Sequence, residues 1–229
     1  MNIGLKTKRI AVYGGSFDPP HKGHLAIANA LVQQFGLDEF VFIPAFHAPH
    51  KVRLKPTSAY DRYAMLCLIT ADAPHISVSK MEIEMPERPY SVETLTRLNA
   101  EQPSDEIFFV MGADSWMDIK TWREWEKVLT LSNHIVVNRP GYDISFNHVT
   151  DEIRQRIVDL RQTAEEKRKK DLNPQSAIRS PKSIFITDAV NQNISATEIR
   201  KKIRNGDPTW RQDVPGEVAI YIEKYQIYS

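Results

Sequence analysis

Short apolar segments recur along the chain, separated by longer segments with helical spacing. The apolar segments are rich in β-branched and aromatic residues without strict polar alternation, which is typical of strands buried on both faces of a parallel sheet. Six segments share this pattern: 10–13 (IAVY), 40–43 (FVFI), 76–79 (ISVS), 107–111 (IFFVM), 135–137 (IVV) and 184–186 (IFI). The third is expected to extend into the alternating residues 81–84.

The segments between these strands carry apolar stripes at helical spacing. The first stripe runs from Leu25 to Phe35 and is followed by Gly36, where a helix would end. The others are Ala64, Leu68 and Ala71; Val92, Leu95 and Leu98; and Trp122, Trp125, Val128 and Leu129. Strands that alternate with helices predict βαβ units with right-handed crossovers, whose ligand site lies at the carboxyl ends of the strands.

Residues 150–183 depart from this alternation. An amphipathic stripe, formed by Ile153, Ile157, Val158 and Leu160, is followed by the charged run 165–170, EEKRKK. This run could bind phosphate, but a solvated helix end is the favoured interpretation. Residues 171–183 contain two X-Pro steps and are expected to form a loop.

The composition is that of an ordinary globular protein. Of 229 residues, 41% are hydrophobic, and 30 Lys and Arg balance 29 Asp and Glu. This balance gives no general attraction to nucleic acid or to a membrane, so any anion site must be local. The single cysteine, Cys67, excludes an intrachain disulfide and is expected in the core. No apolar run is long enough for a signal peptide or a membrane span, so a cytoplasmic protein is expected.

The strongest candidate site is residues 14–24, GGSFDPPHKGH, which follow the first predicted strand. Paired glycines allow the backbone to approach a bound group closely. A helix is expected to begin near His21 or Lys22, and its free N–H groups would favour an anion. His21 and His24 face the same side of that first turn, where both could donate hydrogen bonds to phosphate. The spacing matches neither GxGxxG nor the P-loop, and a zinc pair is disfavoured without a third ligand.

A second helix start is predicted at residues 194–200, ISATEIR. Ser195 and Glu198 have the spacing of a capping box, and Gly206 marks the expected end of the helix. Arg200 supplies a permanent cation one turn into this helix. Two helix N-termini at one edge of a sheet could together hold a triphosphate.

Two further loops follow predicted strands. Residues 47–51, HAPHK, place Lys51 where it could reach a phosphate. Gly112 and Asp114 come directly after the fourth strand, and a carboxylate at that position suits the hydroxyls of a ribose. Trp122 could stack on an aromatic base or belong to a helix core, and both interpretations stay open.

Together these segments resemble the nicotinate (or nicotinamide) mononucleotide adenylyltransferases of the HxGH nucleotidyltransferase superfamily. Residues 21–24 look like the HxGH motif, and residues 194–200 look like the ISxTxIR motif with Ala196 in place of the more usual serine. Further matches lie at 49–51, 62–66, 90–95, 112–114, 122 and 214–228, so the resemblance spans residues 9–228. Residues 142–182 are longer than expected for the family and are interpreted as an insertion. The resemblance implies a single nucleotidyltransferase domain over 1–229, with a small helical part at 195–229.

The resemblance implies an α/β, Rossmann-like doubly wound fold, a mostly parallel sheet with helices on both faces. It also implies ATP as co-substrate, with Mg²⁺ held mainly by the ATP phosphates. The expected reaction is direct in-line attack of a mononucleotide 5′-phosphate on the α-phosphorus, with release of pyrophosphate. The lack of an evident nucleophile–base pair in the sequence agrees with direct displacement.

The resemblance also implies roles for individual residues. His21, His24 and Arg200 are the expected catalytic residues, which stabilise the phosphates and the leaving pyrophosphate. The expected ATP-binding residues are Gly14, Gly15, Ser16, Phe17, His21, His24, Gly112, Asp114, Ser195, Thr197 and Arg200. The expected mononucleotide-binding residues are Lys51, Ser91, Asp114 and Trp122. No protein ligand to a metal is expected.

The expected acceptor is nicotinate mononucleotide, which would give nicotinate adenine dinucleotide in NAD biosynthesis. One alternative is a related adenylyl- or cytidylyltransferase with another acceptor, against which Asp114 and Trp122 argue. The other is a non-catalytic nucleotide sensor, against which the intact His21, His24 and Arg200 argue. The choice between the acid and the amide and the possibility of a homo-oligomer stay open, and no nucleic-acid or membrane partner is expected.

Overall fold

One sheet organises the chain, and its computed structural model describes residues 7–46, 57–85, 89–138, 143–161, 182–190 and 192–228. In these ranges seven parallel strands follow the order β3-β2-β1-β4-β5-β7-β6. The strands are β1 (Arg9–Gly15), β2 (Glu39–Pro44), β3 (Ile76–Val78), β4 (Glu106–Gly112), β5 (Asn133–Val137), β6 (Ile157–Asp159) and β7 (Ile184–Thr187). The helices are α1 (Lys22–Phe35), α2 (Ala59–Thr70), α3 (Ser91–Glu101), α4 (Ala113–Met117), α5 (Trp125–Leu131), α6 (Asp151–Arg154), α7 (Ala196–Arg204) and α8 (Gly216–Lys224). Two 3₁₀ turns cover Ile119–Thr121 and Pro208–Gln212.

Two hydrophobic cores lie on opposite faces of this sheet, because successive residues of a strand point to opposite faces. In β1, Ala11 and Tyr13 belong to one core, whereas Ile10 and Val12 belong to the other. Helices α1, α2, α7 and α8 contribute to the first core, and α3, α4 and α5 contribute to the second. The predicted doubly wound α/β fold is therefore confirmed. No helix within the described ranges has the length and apolar character needed to cross a membrane.

The order of the strands opens a crevice between β1 and β4. The chain moves outward from β1 through β2 to β3, and β4 then pairs with the other side of β1. At such a reversal the loops after the two central strands diverge, which leaves room for a ligand at their carboxyl ends. Gly15 ends β1 and Gly112 ends β4, so two of the predicted site segments meet at this crevice.

The predicted helices are present, but α2 buries a different face from the one expected. Helix α1 ends at Phe35, and Gly36 adopts the left-handed conformation as predicted. In α2 the side chains of Met65 and Leu66 are fully buried, whereas Leu68 is 41% exposed. Cys67, expected in the core, is only half-buried. The buried face of α2 includes the charged residue Arg62, whereas the prediction considered apolar residues only.

Three predictions of secondary structure are wrong. In one, the helix predicted from Trp122 begins only at Trp125. Residues 81–84 form a turn instead of extending β3, which ends at Val78. Ile157 and Val158, predicted in a helical stripe, belong to the edge strand β6, which pairs with β7. A local pattern cannot report that a neighbouring strand offers free backbone groups, although the β-branched Ile157 and Val158 themselves favour a strand. The remainder of the predicted insertion up to residue 181 lies outside the described ranges, as do the basic tract and most of the predicted loop.

A buried arginine fastens the loops that follow β1 and β2. Arg62 on α2 is 1% exposed, and burial lowers the pKa of its guanidinium. This guanidinium donates hydrogen bonds to the carbonyl oxygens of Ser16 (2.5 Å), Ala45 (2.6 Å), Phe46 (3.2 Å) and Thr57 (3.1 Å). These bonds compensate the loss of hydration at the buried charge. They also join backbone segments that are far apart in sequence.

The turn at 81–84 places a carboxyl group against α3. The side chain of Glu82 accepts a hydrogen bond of 2.8 Å from the Thr94 hydroxyl. Burial raises the pKa of Glu82 from 4.5 to about 7, and the Thr94 hydrogen bond opposes this shift. The folded protein therefore holds a proton at Glu82 in a pH range where the unfolded chain has released it.

Replacement of Arg62 by Met is expected to lower the free energy of unfolding by roughly 3 kcal/mol, because each stranded buried carbonyl costs about 1–3 kcal/mol. Urea denaturation measures this change. Arg97→Met is the matched control, since the Arg97 guanidinium pairs with Glu101 at 2.7 Å on the exposed surface of α3. The control is expected to lose less than about 1 kcal/mol. Equal losses in the two variants would contradict a fastening role for Arg62.

Glu82→Gln is expected to stabilise the protein above pH 7 and to have little effect near pH 4. Because the pKa of Glu82 is raised in the folded state, wild-type stability falls as the pH rises from about 4.5 to about 7. Glutamine keeps the acceptor for Thr94 without the charge, so its advantage grows over that window to roughly 3 kcal/mol. Urea unfolding at several pH values measures it. A flat profile for Glu82→Gln would refute the assignment.

Candidate active site

A cavity of about 670 Å³ opens at the carboxyl ends of β1 and β4. This volume lies in the range of small-molecule sites. Its wall includes every predicted site residue that lies in the described part of the chain: Gly14, Gly15, Ser16, Phe17, His21, His24, Ser91, Gly112, Asp114, Trp122, Ser195, Thr197 and Arg200. Lys51, the remaining predicted residue, lies outside the described ranges.

The loop after β1 is shaped by an aromatic side chain. Phe17 has a left-handed backbone with φ of 48°, and its ring is buried. A Cβ atom on Gly15 would lie 2.8 Å from the Phe17 ring, so only glycine fits there. The Phe17 ring packs edge-on against His24 and Phe42, with centroid distances of 5.0 and 5.3 Å. The Phe17 ring therefore supports the His24 ring through this edge contact.

The two histidines form a stacked pair at the start of α1. His21 is the N-cap with an extended backbone, and α1 begins at Lys22 as predicted. The rings of His21 and His24 stack with centroids 3.6 Å apart. A Cβ atom on Gly23 would lie 3.1 Å from the His21 ring, so glycine makes room for the stack.

A backbone hydrogen bond sets the tautomer of the second histidine. The His21 N–H donates to Nδ1 of His24 over 3.1 Å. Because Nδ1 is the acceptor, a neutral His24 ring carries its proton on Nε2. Both imidazoles are buried in the cavity wall, with exposures of 3% and 7%. Low exposure strengthens the interaction of such a donor with an anion.

The N-terminus of α7 lies beside that of α1. A Cβ atom on Gly23 would lie 3.8 Å from the Cβ of Ile194. Helix α7 begins at Ala196 with Ser195 as N-cap, as predicted, but the predicted capping box is wrong. The Ser195 side chain makes no capping hydrogen bond, and Glu198 lies 3.9 Å from Lys201 on the exposed face of the helix.

Arg200 joins α7 to the loop after β1. Its Nη1 donates to the carbonyl oxygen of Asp18, and its Nη2 donates to the Thr197 hydroxyl over 3.3 Å. The guanidinium is thereby held at the cavity wall from two sides. A cation in this position faces the same space as the stacked histidines and the two helix N-termini.

The opposite wall carries a carboxylate and an indole. Asp114 lies in the first turn of α4, and its carboxylate accepts a hydrogen bond of 2.9 Å from the Ser115 N–H. Trp122 is half-buried and not helical, since it lies between a 3₁₀ turn and α5. One edge contact with Phe109, at a centroid distance of 6.1 Å, holds the indole in the wall. The indole is therefore both a packing residue and part of the cavity surface.

Several wall residues were not identified from the sequence, among them Asp18, Glu82, Thr94 and Arg123. Asp18 lies inside the GGSFDPPHKGH segment, so its position there could have marked it. Glu82 carried no such signal, because it reaches the cavity only through the turn that replaces the predicted extension of β3. Arg123 lies 5.0 Å from the ring centroid of Tyr90 and is itself largely exposed.

Comparison with known proteins agrees with this arrangement. Residues 12–202 match the cytidylyltransferase-like family model. A protein from Desulfitobacterium hafniense (strain Y51), named "Probable nicotinate-nucleotide adenylyltransferase", is 36% identical over 100% of this chain and 99% of its own length. A Thermus thermophilus protein of the same name is 34% identical over 96% of this chain and 99% of its own length.

Solved structures share the fold. The Plasmodium falciparum nicotinic acid mononucleotide adenylyltransferase complexed with NaAD superposes with a TM-score of 0.70 and 19% identity, over 96% of this chain and 97% of that one. A putative nicotinate-nucleotide adenylyltransferase from Vibrio parahaemolyticus gives 0.61 and 14%, over 97% and 96%. At these identities the structural similarity shows the fold alone, whereas the full-length sequence matches show the family. The chain therefore belongs to the cytidylyltransferase-like family and, within it, to the nicotinate-nucleotide adenylyltransferases.

Proposed function

We propose that this chain transfers the adenylyl group of ATP to nicotinate mononucleotide, forming nicotinate adenine dinucleotide and pyrophosphate in NAD biosynthesis. The observation that carries the proposal is the meeting of the His21–His24 stack with Arg200 in one cavity that also contains Asp114 and Trp122. Two helix N-termini and a guanidinium suit a triphosphate, whereas a carboxylate and an indole suit a nucleoside. One cavity thus offers complementary surfaces for both substrates.

The triphosphate is assigned to the side of α1 and α7. The dipole at the start of each helix favours an anion, although the Lys22 N–H of α1 already donates to the carbonyl oxygen of Asp213. Nε2 of His24 supplies a hydrogen-bond donor whose tautomer is set by the His21 N–H. Arg200 supplies a permanent positive charge beside these donors. The side of α1 and α7 therefore matches the negative charge of ATP.

The chemical step is a direct displacement at phosphorus. An oxygen of the mononucleotide 5′-phosphate attacks the α-phosphorus, and the bond from that phosphorus to the bridging oxygen of the β-phosphate breaks. The leaving pyrophosphate takes the electron pair, and the histidines and Arg200 stabilise its developing charge. No residue forms a covalent bond, so catalysis consists of alignment and charge stabilisation. Alignment alone can contribute up to about 7–11 kcal/mol.

The mononucleotide is assigned to the wall formed by α3, α4 and Trp122. The Asp114 carboxylate can accept hydrogen bonds from ribose hydroxyls. The indole of Trp122 can stack on the pyridine ring. Ser91, the first residue of α3, offers a hydroxyl and a backbone N–H beside them. Lys51 stays the proposed phosphate contact of the loop after β2, on the family resemblance alone.

Mg²⁺ is assigned mainly to the ATP phosphates and water. Across the described ranges, no three His, Cys, Asp or Glu side chains are grouped so that they could hold a metal ion. Mg²⁺ generally retains several waters and binds substrate phosphates. When bound, Mg²⁺ would reduce the charge repulsion between the phosphates and the attacking oxygen. A cytoplasmic location is part of the same proposal.

Pyrophosphate release with ATP, Mg²⁺ and a panel of acceptors tests the proposal. We expect turnover with nicotinate mononucleotide, slower turnover with nicotinamide mononucleotide and none with phosphopantetheine. Mass spectrometry of the dinucleotide product excludes simple ATP hydrolysis. Pyrophosphate release that needs no acceptor, or no turnover with either mononucleotide, would reject the assignment.

His24→Ala is expected to lower kcat by about 10²–10³-fold, which is typical when one donor to a developing anion is removed. The folded state should change far less, because Phe17 and His21 keep their other contacts. Steady-state kinetics and thermal melts of the same preparation separate the two effects. His75→Ala, an exposed histidine before β3, is the control and should leave both unchanged. A melting temperature that falls in step with activity would instead assign His24 a structural role.

A further inference from the structure

The wall of the cavity contains a carboxylate in the region that the proposed function assigns to phosphate. Asp18 is 9% exposed and lies three residues before His21. The backbone carbonyl of Asp18 accepts a hydrogen bond from Arg200. The Asp18 side chain is therefore only a few covalent bonds away from the oxygen that Arg200 contacts. An ionised carboxylate at this place would repel a triphosphate and attract the same guanidinium. The structure must therefore hold this carboxylate in another interaction.

The partner of Asp18 comes from the segment after α8. The Tyr228 hydroxyl donates to Oδ1 of Asp18 over 2.6 Å, a length typical of a charge-assisted hydrogen bond. Burial, reinforced by the Asp18 carboxylate, raises the pKa of Tyr228, so that the phenol remains a donor at neutral pH. The phenol also has a side-chain hydrogen bond with Thr57. Tyr228 thus connects two of the segments that border the site.

Two residues in the segment after α8 have an uncommon backbone conformation. Gln226 and Tyr228 have φ values of 50° and 73°, which are uncommon for residues other than glycine. Such conformations persist where surrounding contacts determine them. The Tyr228 ring packs against the core that α1, α2 and α8 share. Packing and the hydrogen bond to Asp18 together fix the position of the hydroxyl.

The charged groups near Asp18 limit where its carboxylate could otherwise turn. The negative charge of Asp18 opposes the lowering of the Arg62 pKa by burial, so the two groups interact. The donors of Arg62, however, are already directed at four backbone carbonyls. Among the described residues, the Arg200 guanidinium is a second cation beside this loop. If Tyr228 lost its hydroxyl, Arg200 would be an accessible partner for the carboxylate.

We propose that Tyr228 is a positioning residue for ATP binding: its hydroxyl holds the Asp18 carboxylate, so that this carboxylate neither pairs with Arg200 nor repels the triphosphate. The inference rests on the proposed function, because it assumes that Arg200 faces the phosphates of ATP. It assigns a role to a residue that does not itself line the cavity. Tyr228 acts through Asp18 and takes no part in bond making.

The first test is Tyr228→Phe, which removes the hydroxyl and keeps the ring. We expect the KM for ATP to rise about tenfold, the effect of one lost hydrogen bond to a charged group. The KM for nicotinate mononucleotide should change less than about twofold, because the acceptor lies at the other wall. Calorimetric titration with ATP gives the same comparison without turnover. Weaker ATP binding in an enzyme that lacks the expected acceptor activity would support the role of Tyr228 while rejecting the proposed acceptor.

Tyr221→Phe is the matched control for loosened packing. The Tyr221 hydroxyl donates to Oδ1 of Asp61 over 2.9 Å and links α8 to α2 away from the cavity. This variant loses the same type of bond and should leave the KM for ATP within about twofold of wild type. An equal rise in KM in both variants would overturn the proposal, since general loosening of α8 would then suffice.

The second test places Tyr228→Phe in an Asp18→Asn background. Asparagine carries no charge, so it competes for Arg200 only as a neutral acceptor and does not repel the triphosphate when the hydroxyl is absent. The tenfold effect of Tyr228→Phe on ATP affinity is therefore expected to shrink below about twofold in this background. A penalty of unchanged size would overturn the proposal, because the effect of Tyr228→Phe would then not act through the charge of Asp18. Unchanged ATP affinity in Tyr228→Phe alone would overturn it equally.

Discussion

In a parallel sheet every strand ends at the same edge, and the helix that follows a strand begins there. This constraint brings the N-termini of α1 and α7 to the carboxyl edge of the sheet, although their sequences are about 170 residues apart. The reversal of strand order between β1 and β4 opens the space that those N-termini face. The dipoles of the two helices, the His21–His24 stack and Arg200 then act on one volume. The proposed phosphate site is thus a consequence of the strand order.

The same edge also holds charged side chains that need partners of their own. Burial would make a lone Arg62 costly, but four backbone carbonyls surround its charge and become fixed by it. Of the four acidic side chains that line the described cavity, three accept from a donor: Tyr228 for Asp18, Thr94 for Glu82 and the Ser115 N–H for Asp114. Each of these three acidic groups therefore has a defined partner, and the cation on the α7 side is left to act on the ligand. This separation lets one cavity present a cationic wall and a carboxylate wall.

Local sequence predicted what depends on local forces. Gly36 and the α1 stripe predicted a helix end correctly, because a left-handed terminus and a 3.6-residue period are properties of neighbouring residues. Predictions failed where a distant partner decided the outcome. Residues 157–159 pair as a strand because β7 presents an open edge, and α2 turns Arg62 inward because loop carbonyls lie above it. The capping box at Ser195 also failed: the Ser195 side chain makes no capping hydrogen bond, and the Glu198 side chain is exposed.

For this protein the sequence by itself determined the alternation of strands and helices, the start of α1 at the two histidines and the family. Each follows from residue spacing, from helix or strand propensity, or from a short motif. All three are properties of residues that are neighbours in the sequence. Only the tertiary structure decided that Arg62 fastens two loops, that Glu82 reaches the cavity and that Tyr228 holds Asp18. These contacts join residues separated by 12 to 210 positions, and their strength comes from burial. Burial depends on how the whole chain packs, so no local pattern records it.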